Sequence, residues 1–229
     1  MYDPAHLGWA NDAFWQAIRS ELPFETPENL TRSVDLWALW HDPGLLFGQT
    51  CGLPFAKYLS TEVHYVATPD YGLPGCPLGH YYSAVVARIG DAPRPGARLA
   101  FNDRLSQSGW AAAQGLGFDP EIETGSHAAS LAAVQAGTAD VALIDAHTLR
   151  LIGLPVGLRS WQTTKPTPAP PFITARQDWI APLREALQLA LNALTEYVRE
   201  ALHMPAITIV EEAAYHALLQ PSEASLSGR

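Results

Sequence analysis

Residues 101–110 read FNDRLSQSGW. The apolar residues before them predict a strand over 98–102, and the alanines after them predict a helix over 108–115. A helix start leaves backbone N–H groups unpaired and carries the positive end of the helix dipole, so the turn Ser106–Gly109 could bind an anion. Serine is also a preferred capping residue, and an ordinary helix cap is an equally good interpretation.

Two more polar segments lie at the ends of predicted elements. The segment TGSH, residues 124–127, opens a helix predicted over 127–136, and Asp145 follows an apolar strand predicted at 141–144. Each has an ordinary alternative, namely a capped helix with His127 on the surface in the first case and a cap of the next helix in the second. Near an anion, Asp145 would act as a proton acceptor and favour a protonated oxygen or an ammonium group of the ligand.

The first half of the chain offers uncharged hydrogen-bond donors. A short buried strand is predicted at 45–47, and it leads into the polar stretch GQTCG, residues 48–52. The segment 81–89 is rich in β-branched and aromatic residues and could cross between two lobes. Because alternate residues of a strand point to opposite faces, we expect one of its two tyrosines to pack in the core. The candidate donors are Gln49, Thr50, Tyr81, Tyr82 and Ser83.

The remaining pattern predicts two α/β lobes, each a mixed sheet flanked by helices, with the ligand at their interface. The other predicted elements are helices over 11–22, 34–40 and 179–202 and strands at 63–67 and 172–174. The proline-rich stretch 163–171 predicts an extended return connection. We expect residues 1–87 and 174–229 to form the first lobe and residues 88–173 the second, with hinges near 86–90 and 166–175.

The composition excludes several classes of partner. Fourteen Lys and Arg are scattered along a chain of net charge −9, which argues against nucleic acid and acidic membrane surfaces. No apolar run approaches the roughly twenty residues that span a bilayer, and the N-terminus predicts no export signal. The only cysteines, Cys51 and Cys76, lack zinc-site spacing, so we expect neither metal nor cofactor, and whether the two are bridged stays open.

Taken together, the motifs resemble the phosphate/phosphite/phosphonate-binding proteins of ABC importers, which have the type II periplasmic-binding-protein fold. The resemblance covers Met1 to about Arg176 and is carried by MYD at 1–3, QTCG at 49–52, TPDY at 68–71 leading to GC at 75–76, YS at 82–83, Asn102 with SQSG at 106–109, TGSH at 124–127 and ID at 144–145. It implies a monomeric solute-binding protein, not an enzyme, that closes around a small oxyanion for an ABC permease or a sensor partner. It also implies a periplasmic location, although the N-terminus leaves a cytoplasmic one open.

The resemblance further implies which residues hold the anion. The turn Ser106, Gln107, Ser108 and Gly109 would bind it, and the residues completing the site would be His127, Asp145, Tyr82, Gln49, Thr50 and Tyr2. Which anion binds, phosphate, phosphite or a phosphonate, stays open.

Two other classes of function remain as alternatives. An enzyme on the same fold could use Cys51 as nucleophile and His127 as base, provided that the thiol faces the imidazole within hydrogen-bond reach. The second alternative is a cytoplasmic protein that senses a ligand and has no transporter partner.

Overall fold

The computed structural model describes residues 2–32, 34–220 and 226–227. Its α-helices are α1 (Gly8–Glu21), α2 (Leu36–Trp40), α3 (Gly52–Pro54), α4 (His127–Gln135), α5 (Ala146–Ile152), α6 (Ile180–Ala193), α7 (Glu196–Leu202) and α8 (Glu212–His216). Its strands are β1 (Gly48–Gln49), β2 (His64–Asp70), β3 (His80–Tyr81), β4 (Ser83–Arg88), β5 (Arg98–Phe101), β6 (Asp119–Glu123), β7 (Val141–Asp145), β8 (Leu158–Thr164), β9 (Thr167–Pro168), β10 (Phe172–Thr174), β11 (Ala206–Thr208) and β12 (Leu226–Ser227).

Four strands form a sheet in the order β1-β10-β2-β11, which we call the small sheet. Its pairings are antiparallel. The apolar faces of α1 and α6 pack together and against β2, because both helices repeat apolar residues at helical spacing. Phe14 and Ile18 from α1 and Leu183 and Leu187 from α6 are buried in this core. Helix α1 near the start of the chain and helix α6 near its end therefore share one core with β2.

Six strands form the large sheet, in the order β12-β8-β4-β7-β5-β6. The strand β5 runs parallel to β6 and β7, whereas β4 runs antiparallel to β7 and β8. One face packs on α4 through Leu131 and Val134, and the other packs on the segment that contains Trp110 and Ala113. The parallel pair places the C-terminal ends of β5 and β7 at the same edge of the sheet.

Between β2 and β10 the chain crosses from the small sheet to the large sheet and back again. The outgoing segment contains β3 and the returning segment contains β9, and these two short strands pair with each other, with His80 opposite Pro168 and Tyr81 opposite Thr167. The strand β4 of the large sheet begins two residues after β3 ends. These two crossings lie side by side, and β12 at the edge of the large sheet adds a further connection, because β11 and α8 before it lie on the side of the small sheet.

This mixed α/β architecture with two sheets is the fold class predicted from the sequence, but three predicted elements are wrong. The predicted strand at 45–47 lies instead at Gly48–Gln49, since these two residues pair with β10. Leu45 is buried before the strand, and its carbonyl accepts the N–H of Ala175 (2.8 Å). The single helix predicted over 179–202 is two helices, because Thr195 caps α7 through the N–H of Val198 (3.4 Å).

The helix predicted over 108–115 is the third difference. The N–H groups of Ala111 and Ala112 bond to carbonyls five residues back, those of Ser106 and Gln107, both at 2.9 Å. A short 3-10 turn, Ala111–Ala113, follows in place of an α-helix. The strands β6 and β8 were not predicted at all, because their exposed polar residues lack an apolar pattern. Among the described residues, no helix is both long and apolar enough to cross a membrane.

Candidate functional site

The turn after β5 is closed by its own side chain. Ser106 Oγ accepts the backbone N–H of Gly109 at 3.0 Å, which is the local capping role that serine commonly takes. Gly109 packs tightly, since a Cβ at this position would come within 1.9 Å of Asn102 Oδ1. Ser106 and Gly109 therefore shape the turn, and the oxygen of Ser106 accepts one of its N–H groups.

Ser108 points away from that turn and toward two residues from other elements. Its Oγ lies 3.1 Å from His127 Nε2, and Asp145 Oδ2 lies 3.5 Å from the same nitrogen. The hydroxyl of Ser83, whose residue pairs with Asp145 in the ladder, donates to the carbonyl of Ser108 at 2.9 Å. The fold thus brings together Ser108, His127 and Asp145, which the sequence places in three separate motifs.

Asp145 has two roles in this cluster. As the last residue of β7 it caps α5, since Oδ1 accepts the N–H of Thr148 (2.7 Å) and Oδ2 accepts the Thr148 hydroxyl (2.5 Å). Its side chain is almost fully buried beside His127. The cap, one of the two alternatives from the sequence, is present, and the same carboxylate lies beside the imidazole of His127.

The imidazole of His127 differs from that of a catalytic triad. In a triad the two ring nitrogens serve the nucleophile and the acid separately. Here Ser108 and Asp145 both lie against Nε2, while Nδ1 is buried without a hydrogen-bond partner among the described residues. Burial lowers the pKa of His127, and the nearby Asp145 carboxylate opposes this effect. The arrangement suits an imidazole that binds a ligand atom rather than one that relays a proton from serine.

Of the segment QTCG on the side of the small sheet, Cys51 contacts the turn that carries Ser108. Gln107 donates its backbone N–H to Cys51 Sγ at 3.4 Å, so the two sheets touch here. Gln49 Nε2 donates to the Tyr71 hydroxyl and to the Pro170 carbonyl, both at 3.1 Å. Thr50 is fully buried and its hydroxyl has no partner among the described groups.

The two tyrosines of the crossing segment separate as the strand pattern requires. Tyr81 is buried with its hydroxyl near Cys51 and Ser108, and burial raises its pKa well above the usual value. Tyr82 is half-buried instead, near Cys76 and Arg150. The structure thus places Tyr81 in the cluster and Tyr82 beside it.

The N-terminal residue of the predicted set also lies in this region. The pKa of Tyr2 is raised by burial first and by the Asp145 carboxylate second, and its ring meets Tyr71 edge-on at 5.3 Å between centroids. His147, which the sequence did not single out, stacks on the ring of Tyr71 at 3.8 Å between centroids. Only the TPDY motif hinted at Tyr71, and nothing in the sequence pointed to His147.

Several buried polar atoms of this region lack hydrogen-bond partners among the described residues. They are Thr50 Oγ1, Tyr81 OH, Asn102 Oδ1, Gln107 Oε1, His127 Nδ1 and His147 Nδ1. A buried polar atom without a partner costs about 1–3 kcal/mol, so such atoms in native proteins usually have a further partner such as a ligand or water. They come from the side of the small sheet, from the crossing segment and from the side of the large sheet.

The thiol of Cys51 does not pair with the imidazole. Its sulfur accepts the Gln107 N–H, whereas His127 Nε2 lies against Ser108 and Asp145. Burial raises the pKa of Cys51, which is the opposite of what an activated nucleophile needs. The geometry that the enzyme alternative requires is therefore absent from this part of the chain, and Cys51 and Cys76 are free thiols.

The two thiols should react at different rates. We expect a disulfide reagent such as DTNB at pH 8 to modify Cys76 slowly in the folded protein, since burial raises the pKa of this half-buried thiol to about 11. Cys51 should react only after unfolding, because it is buried against Gln107. The absorbance of the thiolate that DTNB releases, followed over time with and without denaturant, measures how many thiols react and how fast. Zero free thiols in unreduced, unfolded protein would show a bridge instead.

Two sheets joined by a pair of crossing strands, with a polar cluster between them, define the class of two-lobed solute-binding proteins. A family model described as "ABC transporter, phosphonate, periplasmic substrate-binding protein" matches residues 79–216, more than half of the chain. The chain belongs to this family, as its motifs indicated. The family is one of transport binding proteins that work in the periplasm.

Solved structures agree with this fold. The binding protein component of an ABC phosphonate transporter from Pseudomonas aeruginosa superposes with a TM-score of 0.72 at 13% identity, over 92% of this chain and 78% of that one. PhnD1 from Prochlorococcus marinus, in complex with methylphosphonate, gives a TM-score of 0.69 at 14% identity, over 90% and 88%. At such identities the likeness establishes the fold alone. No curated protein sequence matches the chain.

Proposed function

We propose that this protein binds a small phosphonate, phosphite or phosphate ion between its two sheets and presents it to an ABC transporter. The observation that carries the proposal is the buried cluster of Ser108, His127 and Asp145, together with the unpartnered hydroxyl of Thr50 on the side of the small sheet. Membership of the phosphonate-binding family supports the same class of ligand. We further propose that the protein acts as a monomer.

The two sheets would be the cores of the two lobes. The paired crossings at β3 and β9 favour a boundary near residue 82 rather than 87, because β4 lies wholly in the large sheet. On the return, the boundary would fall at 165–171, between β8 and β10. Rotation about these two short segments would open and close the lobes around the ligand.

The proposed site would select its ligand by hydrogen bonding rather than by net charge. Hydroxyl, amide and imidazole groups offer donors to the oxygens of an anion. The carboxylate of Asp145 would accept a proton from a protonated oxygen and repel a fully ionised anion. The site would therefore prefer phosphonates, phosphite and phosphate over sulfate, which carries no proton at neutral pH.

A thermal-shift screen tests this function. We expect methylphosphonate, phosphite or phosphate to raise the melting temperature, because a ligand at one hundred times its dissociation constant adds about 2.7 kcal/mol to the stability. Sulfate at the same ionic strength is the matched control and should raise it less. No response to any of these oxyanions, together with a response to amino acids or sugars, would overturn the proposed function.

A further inference from the structure

The helix α5 joins the proposed ligand site to the small sheet. It begins directly after Asp145, and three residues along it contact the opposite layer. Arg150 Nη1 donates to the carbonyl of Tyr71 at 2.7 Å, and the ring of His147 stacks on the ring of Tyr71 with an interplanar angle of 15°. The carbonyl of Leu151 lies 3.1 Å from His6 Nε2.

Tyr71 in turn leads back to the proposed site. It follows β2 of the small sheet, and its hydroxyl accepts a hydrogen bond from Gln49 Nε2 at 3.1 Å. The contacts thus run from Asp145 along α5 to Arg150, from Arg150 to the Tyr71 carbonyl, and from the Tyr71 hydroxyl to Gln49. One end of this path lies in the large sheet and the other in the small sheet, and both ends belong to the proposed site.

We propose that α5 couples ligand binding to the closing of the two lobes, and that Arg150 is a positioning residue which stabilises the closed arrangement without touching the ligand. The identity of the ligand in this inference rests on the proposed function, whereas the contacts of α5 with the small sheet are seen in the structure itself. Asp145 fixes the start of α5 through both bonds to Thr148, so a ligand held by Asp145 also fixes the direction of the helix. Arg150, near the other end of α5, then bonds to the carbonyl of Tyr71 and so holds the helix against the other lobe.

The expected effect follows from population arithmetic. The apparent dissociation constant equals the intrinsic constant divided by the fraction of protein in the binding-competent, closed form. A hydrogen bond from a charged group is strong, so its loss in the closed form alone should reduce the ratio of closed to open protein by about tenfold, and the closed fraction by up to that factor. Arg150→Met should therefore bind methylphosphonate and phosphite more weakly, by up to about tenfold, with the ratio of the two affinities unchanged.

The chain offers a matched control in Arg184. Its Nε donates to the carbonyl of Val66 at 2.6 Å, so it too is an arginine bonded to a backbone carbonyl, but both partners lie in the core around the small sheet. Arg184→Met should lower the melting temperature and leave both affinities unchanged. Arg150→Lys keeps a cation near Tyr71 and should lose less affinity than Arg150→Met.

The experiment combines calorimetric titration of methylphosphonate and phosphite with small-angle X-ray scattering of the unliganded proteins. We expect Arg150→Met to have a larger radius of gyration than the wild type and Arg184→Met. Unchanged affinity and unchanged scattering in Arg150→Met would overturn the coupling role, and a loss confined to one ligand would mean that Arg150 contacts it. If the wild type binds neither ion, the proposed function fails, while the scattering comparison still decides whether α5 holds the lobes together.

Discussion

Ser108→Ala should weaken the binding of methylphosphonate or phosphite by roughly tenfold to 150-fold, because a hydrogen bond to a charged group contributes about 1.5–3 kcal/mol. The hydroxyl of Ser108 makes no local cap and lies 3.1 Å from His127 Nε2, where it can donate to a bound oxygen. The melting temperature of the unliganded variant should change little. Isothermal titration beside melting curves measures both quantities.

Ser106→Ala is the matched control for that variant. The hydroxyl oxygen of Ser106 accepts the Gly109 N–H, so its loss should cost about 1 kcal/mol of stability, the usual value for a cap. Its effect on affinity should be much smaller than that of Ser108→Ala. Wild-type affinity in Ser108→Ala would place the ligand elsewhere, and equal losses of affinity in both variants would mean that the whole turn binds the anion.

The sequence indicates the residues of the proposed site only in pieces, because they lie where strands end. A strand followed by polar residues is a local pattern, and it pointed to Ser108 and Asp145 without any knowledge of their neighbours. The parallel pairing of β5 with β7 then brings those strand ends together. His127 was found for a similar reason, since it is the first residue of α4 and follows the capping Ser126.

The parts that the sequence could not predict depend on contacts between distant segments. The period of a strand requires that Tyr81 and Tyr82 face opposite ways, but which of them faces the cluster depends on the pairing of β3 with β9. Whether a serine caps a turn or faces a ligand depends on one torsion angle, which no pattern reveals. His147 looked like one more residue of a helix, and only packing against Tyr71 gives it a place in the site.

Asp145→Asn is expected to remove the discrimination between protonated and fully ionised anions. Asparagine caps helices about as well as aspartate, so the bond to the N–H of Thr148 and the start of α5 should survive. What the substitution removes is the negative charge beside His127 Nε2. A fully ionised anion such as sulfate then no longer meets a like charge, while a protonated oxygen loses its best acceptor.

The two changes act in opposite directions on the two kinds of ligand. At neutral pH, affinity for sulfate should rise and affinity for phosphite or methylphosphonate should fall, so the ratio of affinities should shift by at least tenfold, about 1.4 kcal/mol. Competition titrations of each ion against wild type and variant measure that ratio directly, and melting curves of the unliganded proteins check that the cap is intact. Because Asp145 raises the pKa of His127 against the lowering effect of burial, the variant should also keep this imidazole neutral to lower pH, which a histidine NMR titration can follow. An unchanged ratio with a lowered melting temperature would mean that Asp145 serves only to begin α5, and selection among anions would then have to come from the donors of Ser108 and His127 alone.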